Sequence, residues 1–174
     1  MKMRKSAGKF ASTIAVAVVL ASTGAGFAQS ADANQPDIER GKTVYERVGI
    51  CLQCHGWDGN GRGKNPRSPG KAALLRETEL DTQSLKEVIQ CGIPGTPMPY
   101  HDRLAYRDDR CYGLVLDDFE EGEAPAKGKT FREADMDNLV AYIEAKIKGA
   151  GETTLAQCEE FYGRADHPSC RGLE

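Results

Sequence analysis

The stretch Cys51-Leu-Gln-Cys54-His55-Gly56 constrains this chain more than any other, because two thiols and an imidazole are crowded into five residues. Thiols at that spacing can hold zinc, run thiol–disulfide exchange or attach a haem, and each chemistry demands different surroundings. A disulfide-exchange site opens a helix beside a parallel sheet. Here the pair follows a helical pattern, and no run of residues alternates as a strand. A structural zinc site takes two such pairs, or one pair with two spaced histidines. The other cysteines are scattered singly, and His101 and His167 are far apart. Haem attachment asks for two thiols to add across two vinyl groups and a histidine directly after the second, so that its imidazole reaches the iron. The motif meets every clause of that requirement.

On this reading Cys51 and Cys54 form the thioethers and His55 is the proximal iron ligand through Nε2. Its Nδ1–H needs an acceptor to fix the ring, and a backbone carbonyl at Pro66 or Pro69 is expected to supply it. The sixth ligand comes from a short list: Met98 and Met136, with His101 and His167 as rivals. Met136 falls early in an amphipathic helix and reads as core. Met98 lies between Pro97 and Pro99 in GIPGTPMPYHD, where three prolines and two glycines forbid a helix and disfavour a central strand. Such a loop presents a thioether rigidly, and a methionine ligand raises the reduction potential relative to two histidines.

Residues 1–28 read as a cleaved export signal: a basic opening, a short apolar run and a small-residue site ending at Ala28. An uncleaved anchor is the alternative. Cleavage removes four of the 23 Lys+Arg and none of the 26 acids, leaving a net charge of −7. That balance argues against nucleic acid or anionic membrane as a partner, since both need a basic face. It suits a partner with a basic docking surface, or simply keeps an exported protein soluble. In an oxidising compartment all six cysteines should be bonded.

Residues 29–36 are a small, polar lead-in, and a helix then starts from an Asp37 cap with Ile38, Val44, Tyr45 and Val48 on its apolar face. Residues 56–72 form a glycine- and proline-containing loop, and a short helix spans about Thr82 to Gln90. Thr130 and Glu133 suggest a capping box ahead of a helix to about Lys148, with Leu139, Ile143 and Ile147 inward and Met136, Val140 and Tyr142 beside them. A last helix covers about Thr153 to Tyr162. The fold class is all-α with long irregular loops.

The ordered set of Gly41 and Tyr45, Cys51-Leu-Gln-Cys54-His55-Gly56, Asp58-Gly59-Asn60-Gly61, Gly95-Thr96-Pro97-Met98-Pro99 and Leu139-Val140-Ala141-Tyr142-Ile143 resembles the class I, single-haem c-type cytochromes. The resemblance implies an all-α fold at 37–149 wrapped around one covalent haem c, with the first and last long helices crossing near Gly41 and Tyr142. It also implies a solvent-facing haem edge and single-electron traffic among periplasmic dehydrogenases, oxidases and respiratory complexes.

The chain departs from the short family pattern by an insertion at 101–129 and a C-terminal extension at 150–174. Both are expected to carry partner specificity. Cys91 with Cys111 would close a loop of about 20 residues around Met98, worth about 3 kcal/mol, and Cys158 with Cys170 would clip the extension; cross pairings remain alternatives. The acidic run DDFEEGE, 117–123, is a solvated loop or a docking site for a basic partner, and lacks the spacing of a calcium loop. Trp57, the one tryptophan, packs near the haem or takes part in docking.

No acid, base or nucleophile is singled out beside the iron, so an electron carrier rather than an enzyme is expected. It would be periplasmic, taking electrons from a dehydrogenase, with a quinoprotein alcohol dehydrogenase as one candidate, and passing them to an acceptor oxidase or cytochrome. A haem subunit of a multi-subunit oxidoreductase, and a gas-binding or peroxidatic haem protein, are the competing readings.

Overall fold

The computed structural model describes residues 35–63 and 72–174. The expected export signal, most of the lead-in, and Pro66 and Pro69 lie outside the described residues. What is described falls in one compact unit, Asn34–Glu174, and consists of helices and long connections with only two isolated β-bridges.

Helix α1, Ile38–Thr43, starts where the Asp37 carboxylate accepts the Arg40 amide and runs on into a wider π-type turn, Val44–Val48. Helix α2, Leu52–His55, is the cysteine motif itself. Helix α3, Thr82–Cys91, is capped by Asp81 through the Ser84 amide and stops at Gly92. Helix α4, Glu133–Lys146, is the longest, and α5, Leu155–Tyr162, carries a capping box between Thr154 and Gln157. Among the described residues no helix is long and apolar enough to cross a membrane.

The capping box expected at Thr130 and Glu133 does not form. Arg132 occupies the cap position and makes no side-chain capping bond to the helix's backbone amides. Its guanidinium, like that of Arg40, is instead bonded to Asp135, at 2.9 and 2.7 Å. A buried carboxylate holding two cations across two helices outweighs a local cap that water can replace.

The core joins α1, its π turn, α3 and α4. Val44, Tyr45, Leu85, Ile89, Met136, Leu139, Val140, Tyr142, Ile143 and Ile147 are buried together, and Phe161 of α5 closes one end. Met136 is therefore core, as its helical position implies. Helices α1 and α4 cross at Gly41, where a Cβ would overlap the Asn138 carbonyl and come within 2.7 Å of Tyr142 Cβ. Only glycine permits that approach. Tyr45 and Tyr142 pack at 5.6 Å between ring centroids beside it.

A second, smaller core lies under the insertion, built from Cys91, Ala105, Tyr106 and Cys111 with Tyr100, Leu114 and Phe119 packed against it. The insertion is thus a folded lobe. Disulfides join Cys91 to Cys111 and Cys158 to Cys170, the local pairing in each case.

Candidate functional site

The cysteine motif is held by main-chain bonds. The π turn ends with Cys51 N–H on the Tyr45 carbonyl, and His55 N–H on the Cys51 carbonyl closes α2. The Tyr45 hydroxyl, buried in the core, donates to the Gly56 carbonyl at 2.7 Å. Gly56, at φ 80°, then turns the chain away. Ile50, just before the motif, sits at φ 51° and is 48% exposed. A β-branched residue in that region is held there by its surroundings.

The other four cysteines are paired in disulfides, which leaves Cys51 and Cys54 outside that framework. Burial pushes the Cys51 thiol up to about 12. An exchange-active cysteine needs the opposite, a thiolate stabilised by a helix start or a nearby cation. Cys51 does stand at the start of α2, but its buried thiol and the absence of a sheet beside the motif among the described residues do not favour disulfide exchange.

His55 is buried, and its Nδ1 lies 3.0 Å from the Ala73 carbonyl. This corrects the expectation of Pro66 or Pro69: the acceptor lies beyond both prolines, where the chain returns past Gly61 through the Ala72 N–H bond to the Gly61 carbonyl. A carbonyl acceptor makes Nδ1 the protonated nitrogen, leaving Nε2 with its lone pair for a metal. Burial also lowers the His55 pKa, favouring the neutral ring that ligation requires. The donor set at 51–55, two thiols and one oriented imidazole, fits a covalently attached haem.

The segment that follows His55 is held by a polar hub centred on Arg76, without a clear signal in the sequence. Arg76, 8% exposed, donates to the carbonyls of Asp58, Ala150, Gly151 and Glu152 and to the Gln157 amide oxygen. Asp58, also buried, accepts from Asn60 and Thr153. The C-terminal extension is thereby tied to the segment that follows the motif. Trp57 packs against Phe161 and Tyr162 at 5.6 and 5.8 Å, so its neighbours come from the extension.

Met98 is half-buried in a loop folded back on itself. Its amide donates to Thr96 Oγ1 at 3.2 Å, and its carbonyl accepts from the Ile93 amide at 3.3 Å. Gly92, at φ 66°, lets the returning backbone of 98–100 press against it; a Cβ there would meet the Met98 oxygen at 2.7 Å. The Cys91–Cys111 bond grips the loop's start, and the lobe grips the rest. Gly95 N–H reaches the Glu123 carbonyl, and Tyr100 pairs with Ala126 and Gly128.

His101 and His167 have other partners. His101 is 4% exposed, stacks on Phe131 at 4.2 Å and has Nδ1 2.7 Å from the Lys129 carbonyl. It pins the Met98 loop to the end of the insertion. His167 stacks on Tyr162 and accepts the Ser169 amide, capping the turn Pro168–Cys170.

A family model described as Cytochrome c matches residues 38–146, from the first residue of α1 to the last of α4. No curated protein and no solved structure matched the chain.

Proposed function

The chain belongs to the cytochrome c family, and from that premise we propose that it is a periplasmic electron carrier whose one haem has His55 and Met98 as axial ligands. The family binds covalently attached haem c, which supplies a one-electron ferric/ferrous couple. Cys51 and Cys54 provide the thioether sulfurs.

The observation that carries this reading is the His55 ring, fixed by its bond to the Ala73 carbonyl with Nε2 left for iron. As the proposed second ligand, Met98 between Pro97 and Pro99 would supply a soft thioether that favours the reduced metal. A site clamped on both sides changes oxidation state with little rearrangement, which suits electron transfer. The donor is proposed to be a periplasmic dehydrogenase, with a quinoprotein alcohol dehydrogenase as the leading candidate, and the acceptor a respiratory oxidase or cytochrome. The support for that step is the acidic charge of the chain and analogy within the family.

Redox titration of the purified holoprotein with carbon monoxide as a probe tests the assignment. A carrier gives a single one-electron wave, and its ferrous form does not bind carbon monoxide at neutral pH. Ready binding at neutral pH means an open sixth position, and the carrier reading fails.

A further inference from the structure

The insertion lobe carries large apolar side chains that its own small core does not take in. Tyr112 is 41% exposed and Leu116 61%, and Ile93, at the lobe's junction with the Met98 loop, is 39% exposed. Tyr112 is not a loose side chain. Its backbone is at φ 59°, between Cys111 in the disulfide and Gly113, and its hydroxyl donates to the Gly92 carbonyl at 2.7 Å. Leu116 follows the bond from its own amide to the Tyr106 carbonyl. Tyr106 is itself at φ 59°, with its hydroxyl on the Cys91 carbonyl. Two tyrosines in a backbone region unfavourable to them indicate surroundings that hold the lobe in one shape.

Directly beyond Leu116 come Asp117, Asp118, Glu120, Glu121 and Glu123, all exposed, and no basic residue lies between Val115 and Pro125. Exposed apolar side chains next to a run of one charge fit a protein interface, and the sign of the run selects a partner of opposite sign. The lobe also has a short bonded path to the site. From the Tyr112 hydroxyl it runs through the Gly92 carbonyl to the next residue, Ile93, whose amide is bonded to the Met98 carbonyl.

We propose that Tyr112, Leu116 and the acidic segment 117–123 form a docking surface for a redox protein with a lysine- or arginine-rich face, which exchanges electrons through the Met98 loop. This rests on the carrier reading above. It assigns the insertion, rather than the immediate surroundings of the cysteine motif, as the place where a partner is chosen.

The test uses the intact ferrous holoprotein, labelled with nitrogen-15 and titrated at low salt with a strongly basic single-haem cytochrome as the probe. Amide shifts concentrated at 112–123 and in the Met98 loop, weakening at least tenfold in affinity at high salt, are expected. Glu120→Lys with Glu121→Lys should weaken binding about tenfold at low salt, and Leu116→Ser several-fold. Reduction by ascorbate should be unchanged in all variants. Shifts concentrated around Ile50 and the cysteine motif, no binding, or variants that bind like the parent overturn the proposal. A parent protein that ascorbate cannot reduce would instead refute the carrier reading, so the two failures are distinct.

Discussion

The two departures from the short cytochrome pattern, the insertion at 101–129 and the extension at 150–174, are each clipped by one disulfide and each built on aromatic contacts, yet they do opposite things. The extension turns inward. Its carbonyls at 150–152 are bonded to the buried Arg76, and Phe161 and Tyr162 cover Trp57, two residues beyond His55 in the chain. The insertion turns outward. It braces the Met98 loop through Cys91, Gly92 and Gly95, then leaves Tyr112, Leu116 and five acids in solvent. One addition packs against the segment that follows His55, and the other braces the Met98 loop while offering a surface. An addition's disulfide therefore says little about its role; what decides it is whether the polar groups it brings are satisfied inside the molecule.

The largest effect expected on this contrast is from Arg76→Met. It leaves the buried Asp58 carbonyl and the part-buried Gly151 and Glu152 carbonyls without the Arg76 donor; a buried group left unpaired costs about 1–3 kcal/mol and the others less, so a summed loss of about 4 kcal/mol in chemical denaturation is expected. The Met98 side should keep its ligand spectrum in the folded variant. Replacing Cys91 and Cys111 together by serine should lose about 3 kcal/mol, the loop-closure value for 20 residues. Here the spectrum should respond, with carbon monoxide binding appearing as the Met98 loop loosens. If instead Arg76→Met opened the site to carbon monoxide and the cysteine pair did not, the division of labour would be wrong.

A smaller effect belongs to the core shared by both sides. The Arg40 bond, then that of Arg132, holds the Asp135 carboxyl below its ordinary range against the opposing effect of burial. A depressed carboxylate pKa contributes stability above the unfolded value and loses it as pH falls through the folded one. Asp135→Asn should therefore lower Tm by about 3 °C at neutral pH, with the gap to the parent narrowing below about pH 4. A gap that widened in acid would contradict the sign. Leu116→Ser should be the mildest change for folding, within about 0.5 kcal/mol as for other surface sites, while weakening partner binding.

The features legible in the sequence were those written in adjacent residues. Cys51, Cys54 and His55 announce themselves by spacing, and both disulfides join cysteines no more than 20 residues apart; the choice of Met98 as ligand rests on its flanking prolines and stays a proposal. The α1–α4 crossing at Gly41 followed from the family resemblance. What escaped depends on distant partners. Arg76 reaches acceptors up to 81 residues away, and Asp135 takes Arg40 from 95 residues away. The same pull explains the failed box at Thr130, whose neighbour Arg132 is drawn to Asp135. By contrast the Thr154–Gln157 box, which the sequence reading did not single out, forms. Ala73 escaped because the loop's prolines suggested an acceptor before its end.

The proposed ligation joins both sides at one iron, so its most direct test is the optical spectrum of the ferric holoprotein with Met98 intact and as Met98→Ala. The parent should show the thioether-to-iron charge-transfer band and the variant should lose it, while haem stays covalently attached through Cys51 and Cys54. A band that persists in the variant would show that Met98 is not the ligand, and the role given to the lobe that braces it would fall with that assignment.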